Sequence, residues 1–86
     1  MDINQLSEIV KKKILENQSV EEIYLEDKSF LHKNHASNSK DKFHIKLIIN
    51  SEHLRKKNKI ESTKEIYKVL DEELKNYIHS IQILIN

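Results

Sequence analysis

The chain has 86 residues, a hydrophobic fraction of 37%, a charged fraction of 34% and a formal net charge of +1. This length predicts one small domain over residues 1–86 with a modest core, and the near-neutral charge provides no overall field to attract nucleic acid or an anionic membrane. The sequence contains no cysteine, glycine or proline, which excludes disulfides, thiolate metal sites and phosphate-binding loops that need glycine for close backbone approach.

The chain shows no membrane or export pattern. Its apolar runs are all much shorter than the roughly 20 residues that span a bilayer. The start, Met1-Asp2-Ile3-Asn4, has neither the basic and hydrophobic pattern of a signal peptide nor an Arg-rich transit pattern. We therefore expect no membrane association and a cytoplasmic location, with mitochondrial and nuclear locations left open.

Residues 2–17 are predicted to form the first helix. Asp2 and Gln5 have the spacing of an N-terminal capping box. Lys11, Lys12 and Lys13 lie near the helix C-terminus, where cations interact favourably with the helix dipole, and we expect them on a solvated face. Apolar residues at intervals of three and four define the face that packs on the core: Ile3, Leu6, Ile9, Val10 and Ile14.

Two strands are predicted next, over about 20–28 and 43–50. In the first, Ile23 and Leu25 alternate with polar residues, which is typical of a strand with one buried face. In the second, the odd-numbered residues are predicted to face the core, which places His44 on the opposite face.

The segment between these strands, residues 29–41, is rich in Ser, Asn and Lys and contains His32 and His35. Loops longer than about 12 residues in a compact domain are usually functional or disordered. By itself, the composition favours an ordinary surface loop.

The C-terminal half begins with short polar elements. Ser51 is predicted to cap a brief helical turn over residues 52–54, and a basic connector follows at residues 55–59. Ile60 is predicted to be an isolated apolar anchor. Ser62 and Glu65 have the spacing of a second capping box, which predicts a long helix from there to about Asn76.

The long helix is predicted to bury one apolar stripe, formed by Ile66, Tyr67, Leu70, Leu74 and Tyr77 or Ile78. A third strand is predicted over residues 79–85. Ile81, Ile83 and Ile85 should share one of its faces, and His79 has the same parity at its first position. Considered alone, His79 is more simply a histidine at the edge of the core than a metal ligand.

These elements predict an α+β fold in the order αββααβ. The first two strands should pair antiparallel, and the second and third, joined by helices, should be parallel. Both long helices have only one apolar face, so we expect a two-layer domain with the helices on one face of a three-stranded mixed sheet.

The chain resembles the BolA-like proteins along nearly its whole length. Their loop pattern Asp-x-Ser-x-x-His-x-Gly-His is matched by Asp27, Ser29, His32, Asn34 and His35. The family's His-Phe pair and the strand that ends in Ser are matched by His44-Ile45 through Ser51. The helix pattern is matched by Tyr67, Leu70 and Glu72-Glu73-Leu74, and the family's Ile-His-Ala-Leu element by Ile78-His79-Ser80-Ile81.

The chain departs from this family pattern at several positions. The family's Arg-His-Arg is Ser62-Thr63-Lys64, its loop glycine is Asn34, its second glycine is replaced in residues 55–57, and its Thr-Pro tail is missing. The resemblance implies a topology similar to that of class II KH domains, without their GxxG clamp.

The resemblance implies a function in iron–sulfur metabolism. BolA-like proteins are known as partners of monothiol glutaredoxins, with which they share a [2Fe-2S] cluster in cluster assembly, trafficking or iron sensing. The family's ligands are the His of Ile-His-Ala-Leu and a His or Cys of the loop, which correspond to His79 and either His35 or His32 in this chain. Glutathione and the glutaredoxin cysteine would supply the other two ligands.

This resemblance implies a protein that is monomeric alone, heterodimeric with its glutaredoxin, and without a cofactor when isolated. His44 and His53 are expected to be structural or exposed. We expect no enzyme activity, because these residues include no nucleophile with its base and no complete metal site.

The alternative is a nucleic-acid-binding transcriptional regulator that uses the KH-like topology. The candidate contacts for DNA are Arg55, Lys56, Lys57, Lys59 and Lys64. The near-neutral net charge and the replacement of Arg-His-Arg weigh against this alternative.

Overall fold

The computed structural model describes residues 1–29 and 42–86. The elements, in chain order, are α1 (Ile3–Asn17), β1 (Glu22–Asp27), β2 (Phe43–Asn50), α2 (Glu52–Arg55), α3 (Lys59–Val69), α4 (Asp71–Asn76) and β3 (Ile78–Ile85). None of the helices in these two ranges is both long and apolar enough to span a membrane.

The strands form a three-stranded sheet in the order β1-β2-β3. β1 pairs with β2 antiparallel, and β2 pairs with β3 parallel. Both predicted pairings are therefore confirmed. The observed order also matches the predicted αββααβ arrangement, with α3 and α4 together in place of the one long helix.

The helices and the sheet share one hydrophobic core. In the sheet, Ile45, Leu47 and Ile49 alternate along β2 and are at most 3% exposed, as the period-two pattern predicts. The helical contribution comes from Leu6, Val10, Ile14, Leu54, Ile66 and Leu70. The helices therefore cover one face of the sheet, which gives the predicted two-layer α+β architecture; the opposite face is called the open face below.

The start of α1 is as predicted. The Gln5 N–H donates to the Asp2 carboxylate at 2.8 Å, and the Asp2 N–H donates to the Gln5 side chain at 3.0 Å, so both halves of the capping box are present. Ser51 is also confirmed as the N-cap of α2, because its Oγ accepts from the Leu54 N–H at 3.1 Å.

The predicted start of the long helix is wrong. α3 begins at Lys59 with Asn58 as its N-cap. Ser62 lies inside the helix, fully buried, where its Oγ donates to the Leu54 carbonyl at 2.7 Å. The capping-box pattern failed because the Ser62 hydroxyl bonds to a carbonyl of α2 instead of an N–H of its own helix.

Three further details of this region differ from the predictions. Ile60 is 65% exposed and does not anchor the core, and Tyr67 is 41% exposed and lies outside the buried stripe. The helix is interrupted at Leu70, which ends α3 and precedes α4. Leu70 itself is fully buried, so the interruption keeps an apolar side chain in the core while the chain changes direction.

Lys13 is held by carboxylates instead of lying on a freely solvated face. Its Nζ lies 2.6 Å from Glu73 Oε2 and 3.5 Å from Glu72 Oε2, and the Glu73 side chain is only 4% exposed. The hydrogen bond to Glu73 raises the pKa of Lys13 above its usual 10.5, against the opposing effect of partial burial. This ion pair connects α1 to α4.

Candidate functional site

His79 lies at a β-bulge at the beginning of β3. Phe43 pairs with Ile78, but the next residue, His44, pairs with Ser80, so His79 is an extra residue without a partner on β2. A bulge of this kind changes the direction in which a side chain points. Ile78 is buried in the core, whereas His79 is exposed.

The bulge overturns one prediction. From parity alone, His79 was expected to share the face of Ile81, Ile83 and Ile85. Those isoleucines pack against the core, and His79 does not. A simple count of residues along a strand fails across a bulge, because the extra residue shifts the alternation by one.

The ring of His44 lies against the ring of His79. The ring centroids of the two histidines are 4.8 Å apart, with an interplanar angle of 43°. His44 is only 6% exposed, and its Nδ1 shares a hydrogen bond of 2.7 Å with Ser80 Oγ. The prediction of a structural or exposed residue missed its contact with His79, although burial and hydrogen bonding agree with a structural role.

The backbone of His44 is fixed by its neighbours at the end of β1. The His44 N–H donates to Ser29 Oγ at 3.1 Å, and the Lys28 N–H donates to the His44 carbonyl at 2.7 Å. On the other side, the Phe43 N–H donates to the Tyr77 carbonyl at 2.9 Å. The starts of β2 and β3 and the end of β1 therefore hold the histidine pair in one place.

The two histidines can act as metal ligands if each ring has a nitrogen lone pair available to the metal. When Nδ1 of His44 carries the proton and donates it to Ser80 Oγ, the lone pair of the ring is on Nε2. A hydrogen bond at one ring nitrogen that orients the other toward a metal is the usual arrangement around ligating histidines. Ser80 is then the residue that orients His44.

The site supplies too few ligands to be complete. The sequence has no cysteine, and residues 1–29 and 42–86 contain no group of three or more His, Asp or Glu side chains arranged to hold a metal ion. Two imidazoles at this position can occupy part of a coordination sphere, and the remaining ligands must come from another molecule or from outside these ranges.

The other two predicted ligands, His32 and His35, lie outside the described residues. The segment that contains them leaves the described structure after Ser29 and re-enters at Lys42. Ser29 bonds directly to His44, and Phe43 precedes it in β2. Both attachment points of the segment are therefore beside the histidine pair.

The predicted DNA contacts lie at the other end of the sheet. Arg55, Lys57 and Lys59 line a small depression with Ile85, the last residue of β3. His79 is six residues earlier on the same strand, which corresponds to about 20 Å. His53 lies on α2 and is exposed, as expected, so it belongs to this end and not to the histidine pair.

Ion pairs engage part of this basic group. Lys57 Nζ contacts both Glu65 oxygens at 2.8 and 3.0 Å, and Lys56 Nζ lies 3.3 Å from Glu52 Oε1. Arg55, Lys59 and Lys64 form no ion pair with any residue that the structure describes. The connector is therefore less electropositive than its sequence indicates.

Comparisons with known proteins agree with this architecture. The family model described as "BolA-like protein" matches residues 14–86. The BolA domain of SufE1 from Arabidopsis thaliana has a TM-score of 0.77 and 23% identity, covering 100% of this chain and 93% of that one. BolA1 from Arabidopsis thaliana has a TM-score of 0.74 and 25% identity, covering 90% and 85%.

A bol-like protein from Babesia bovis has a TM-score of 0.69 and 14% identity, covering 91% of this chain and 79% of that chain. A search of curated protein sequences found no match. At such identities, the solved structures support the fold, and the match to the family model supports the family.

Proposed function

The chain belongs to the BolA-like family, and from this premise we propose that it is a partner of a monothiol glutaredoxin, with which it shares a [2Fe-2S] cluster through histidine ligands. In this proposal the protein is not itself an enzyme. It is monomeric alone, heterodimeric with the glutaredoxin, and cytoplasmic. Its end use is cluster assembly, cluster trafficking or iron sensing.

The observation that carries the proposal is the contact between His79 and His44 at a site to which residues 1–29 and 42–86 supply too few ligands. A [2Fe-2S] cluster is held by four ligands besides its sulfides, and two imidazoles can coordinate one of the irons, as in Rieske centres. The chain has no cysteine, so thiolates for the second iron would come from the glutaredoxin and glutathione. An incomplete histidine site fits a protein that works only as a partner.

His79 is the first ligand in this proposal, and the second is His35, His32 or His44. The resemblance favours the loop residues His35 and His32. The ring contact favours His44, which lies 4.8 Å from His79 between centroids. If a loop histidine is the ligand, His44 instead positions His79 by packing against its ring.

The bound cluster would supply transferable iron and sulfide, at a higher potential than an all-thiolate cluster because imidazole is neutral. The residues of this chain hold and orient the ligands. The bulge turns His79 out of the core, and Ser80 holds the ring of His44.

The proposal is tested by assembling a cluster on a monothiol glutaredoxin with glutathione and then adding this protein. We expect a change in visible absorption and circular dichroism for the wild type and none for His79→Ala. At least one of His35→Ala, His32→Ala and His44→Ala should reproduce the loss. The second ligand is a loop histidine if His35→Ala or His32→Ala does so, and His44 if only His44→Ala does. His53→Ala removes an exposed histidine at the other end of the sheet and is the matched control.

The proposal fails if the wild type leaves the spectrum unchanged, or if His79→Ala changes it as the wild type does. Because His44 is buried, urea unfolding of His44→Ala must accompany the spectra. A folded His44→Ala variant without the spectral change identifies a ligand or a positioning residue, and full retention of the change leaves the loop histidines as the ligands.

DNA binding is the second candidate function, supported by the KH-like topology and by three basic residues that form no ion pair within the described parts of the chain: Arg55, Lys59 and Lys64. Its test is binding to duplex DNA at about 0.15 M salt, where weak charge attraction is largely lost. Sequence-preferring binding that is lost on replacing these three residues with glutamine supports it. Binding without preference that disappears at this salt concentration contradicts it.

A further inference from the structure

A shallow cleft of about 260 Å³ lies beside the histidine pair. It is on the open face, where the register of the sheet sets His44 opposite Ser80 and Lys46 opposite Gln82. The residues that line it are Lys28, His44, Ile45, Lys46, Ser80, Ile81 and Gln82. The cleft thus shares His44 and Ser80 with the candidate metal site.

The polar lining of the cleft is suited to an anion. It contains two lysines, a hydroxyl, a side-chain amide and an imidazole, and no carboxylate. The two lysines, the hydroxyl and the amide can donate hydrogen bonds to an anion. The small volume suits a carboxylate and the few atoms next to it better than a large ligand, since sites for drug-sized molecules usually exceed about 300 Å³.

Lys46 is the cation of this cleft that forms no ion pair with the described residues. It is half-buried on the central strand and forms no ion pair with any residue in 1–29 or 42–86. Glu26 lies opposite it in the β1–β2 register, but the Glu26 carboxylate contacts Lys28 Nζ at 3.2 Å instead. A cross-strand pair between Glu26 and Lys46 is the structural alternative, and this contact argues against it.

We propose that this cleft binds a carboxylate carried by the molecule that completes the metal site, with Lys46 as its main cation. The inference rests on the proposed function, in which thiolates come from glutathione and from the partner. Glutathione carries two carboxylates next to its thiol, and an acidic side chain of the partner offers the same chemistry. The cleft adjoins His44. A glutathione molecule whose carboxylate is bound in the cleft would therefore have its thiol close to the histidine ligands.

The test uses the protein alone, without iron, so that it does not depend on cluster formation. ¹⁵N-labelled protein is titrated at low ionic strength with S-methylglutathione, which keeps both carboxylates but cannot donate a thiolate. N-acetylaspartate amide is the second probe and represents a partner's acidic side chain. We expect saturable shifts at the amides of Lys46, Ser80 and Gln82 with one or both probes.

Lys46→Gln should weaken this binding by about two- to fivefold, the range expected for losing one solvent-accessible ammonium–carboxylate contact. Lys12→Gln removes an exposed lysine on α1 and should leave it unchanged. Tighter binding of S-methylglutathione than of N-acetylaspartate amide assigns the carboxylate to glutathione. Equal binding of the two assigns it to the partner.

Three results would overturn the inference: no saturable shift with either probe, equal affinities for the wild type and Lys46→Gln, or inorganic phosphate binding as tightly as the better carboxylate probe. The cluster experiment can fail while this titration succeeds, and the reverse is also possible. The two proposals are therefore separated by their tests.

Discussion

The helical layer and the open face of the sheet use their polar side chains differently. In the helical layer three of these groups bond within the protein: Lys13 to Glu73, Lys57 to Glu65, and Ser62 to the Leu54 carbonyl. On the open face and at its end, Lys46 has no ion pair with the described residues, and His79 is exposed. The difference indicates that Lys13, Lys57 and Ser62 stabilise the fold, whereas Lys46 and His79 remain able to bind another molecule.

Among the variants that test this difference, Lys13→Met should lose the most stability. The variant leaves the Glu73 carboxylate buried without its cation, and Glu73 Oε1 already lacks a hydrogen-bond partner. We expect a loss of about 2–3 kcal/mol in the free energy of unfolding, below the full value for a buried pair because Lys13 is partly exposed. Urea unfolding followed by circular dichroism measures it.

Lys12→Met, on an exposed neighbour in the same helix, is the control and should change stability little. Lys13→Met combined with Glu73→Met should recover much of the loss, because no buried charge remains. Equal stability of the Lys12 and Lys13 variants would show that the ion pair does not stabilise the protein.

The same ion pair predicts a pH dependence. The folded-state pKa of Lys13 is raised above 10.5 by Glu73, so its contribution is fully present below the unfolded-state value and is lost as the pH rises through the folded-state value. The difference in unfolding free energy between the wild type and Lys13→Met should therefore stay constant from neutral pH to about pH 9 and shrink above 10.5. A difference that grows with alkaline pH would contradict this assignment.

Ser51→Ala should have a smaller effect. Ser51 is buried, accepts from the Leu54 N–H and donates to the Ser19 carbonyl at 2.6 Å. Losing a helix cap and leaving a carbonyl without its donor should cost about 1–2 kcal/mol. Thermal and urea unfolding measure the loss, and Thr63→Ala is the control because Thr63 has a half-exposed hydroxyl for which the structure describes no hydrogen bond. Similar losses of stability in the two variants would show that the hydrogen bonds of Ser51 do not stabilise the protein.

The smallest expected effect on stability is that of Lys46→Gln on the open face. With no ion pair to lose among the described residues, the unfolding free energy should change by less than about 0.5 kcal/mol. A loss comparable to that of Lys13→Met would show that Lys46 is a structural residue, and the contrast between the two regions would then disappear.

The order and type of the elements could be predicted because their signals are local. The stripe of Leu6, Val10 and Ile14 has helical spacing, and Ile45, Leu47 and Ile49 alternate as in a strand. Caps that use neighbouring residues, at Asp2 and Ser51, were also correct. The error at Ser62 arose because its hydroxyl bonds to Leu54 in another helix, and a pattern confined to four residues does not contain that contact.

The candidate site was predicted only in part. The match to the Ile-His-Ala-Leu element identified His79, but its direction depends on the bulge between β2 and β3. His44 was not selected as a site residue, although the predicted parallel pairing of the two strands was a signal that their first residues would meet. Its contact with His79 required the register, which hydrophobic periodicity does not specify at a strand end.

The sequence by itself determined the α+β class, the strand pairing, the capped first helix and the lack of any thiolate ligand, because these follow from periodicity, short-range hydrogen bonds and composition. Only the tertiary structure decided that His79 leaves the core, that His44 lies against it, and that Lys13 is held by Glu73 while Lys46 forms no ion pair with the described residues. These features depend on residues far apart in the chain, whose distances are set when the sheet and the helices pack together.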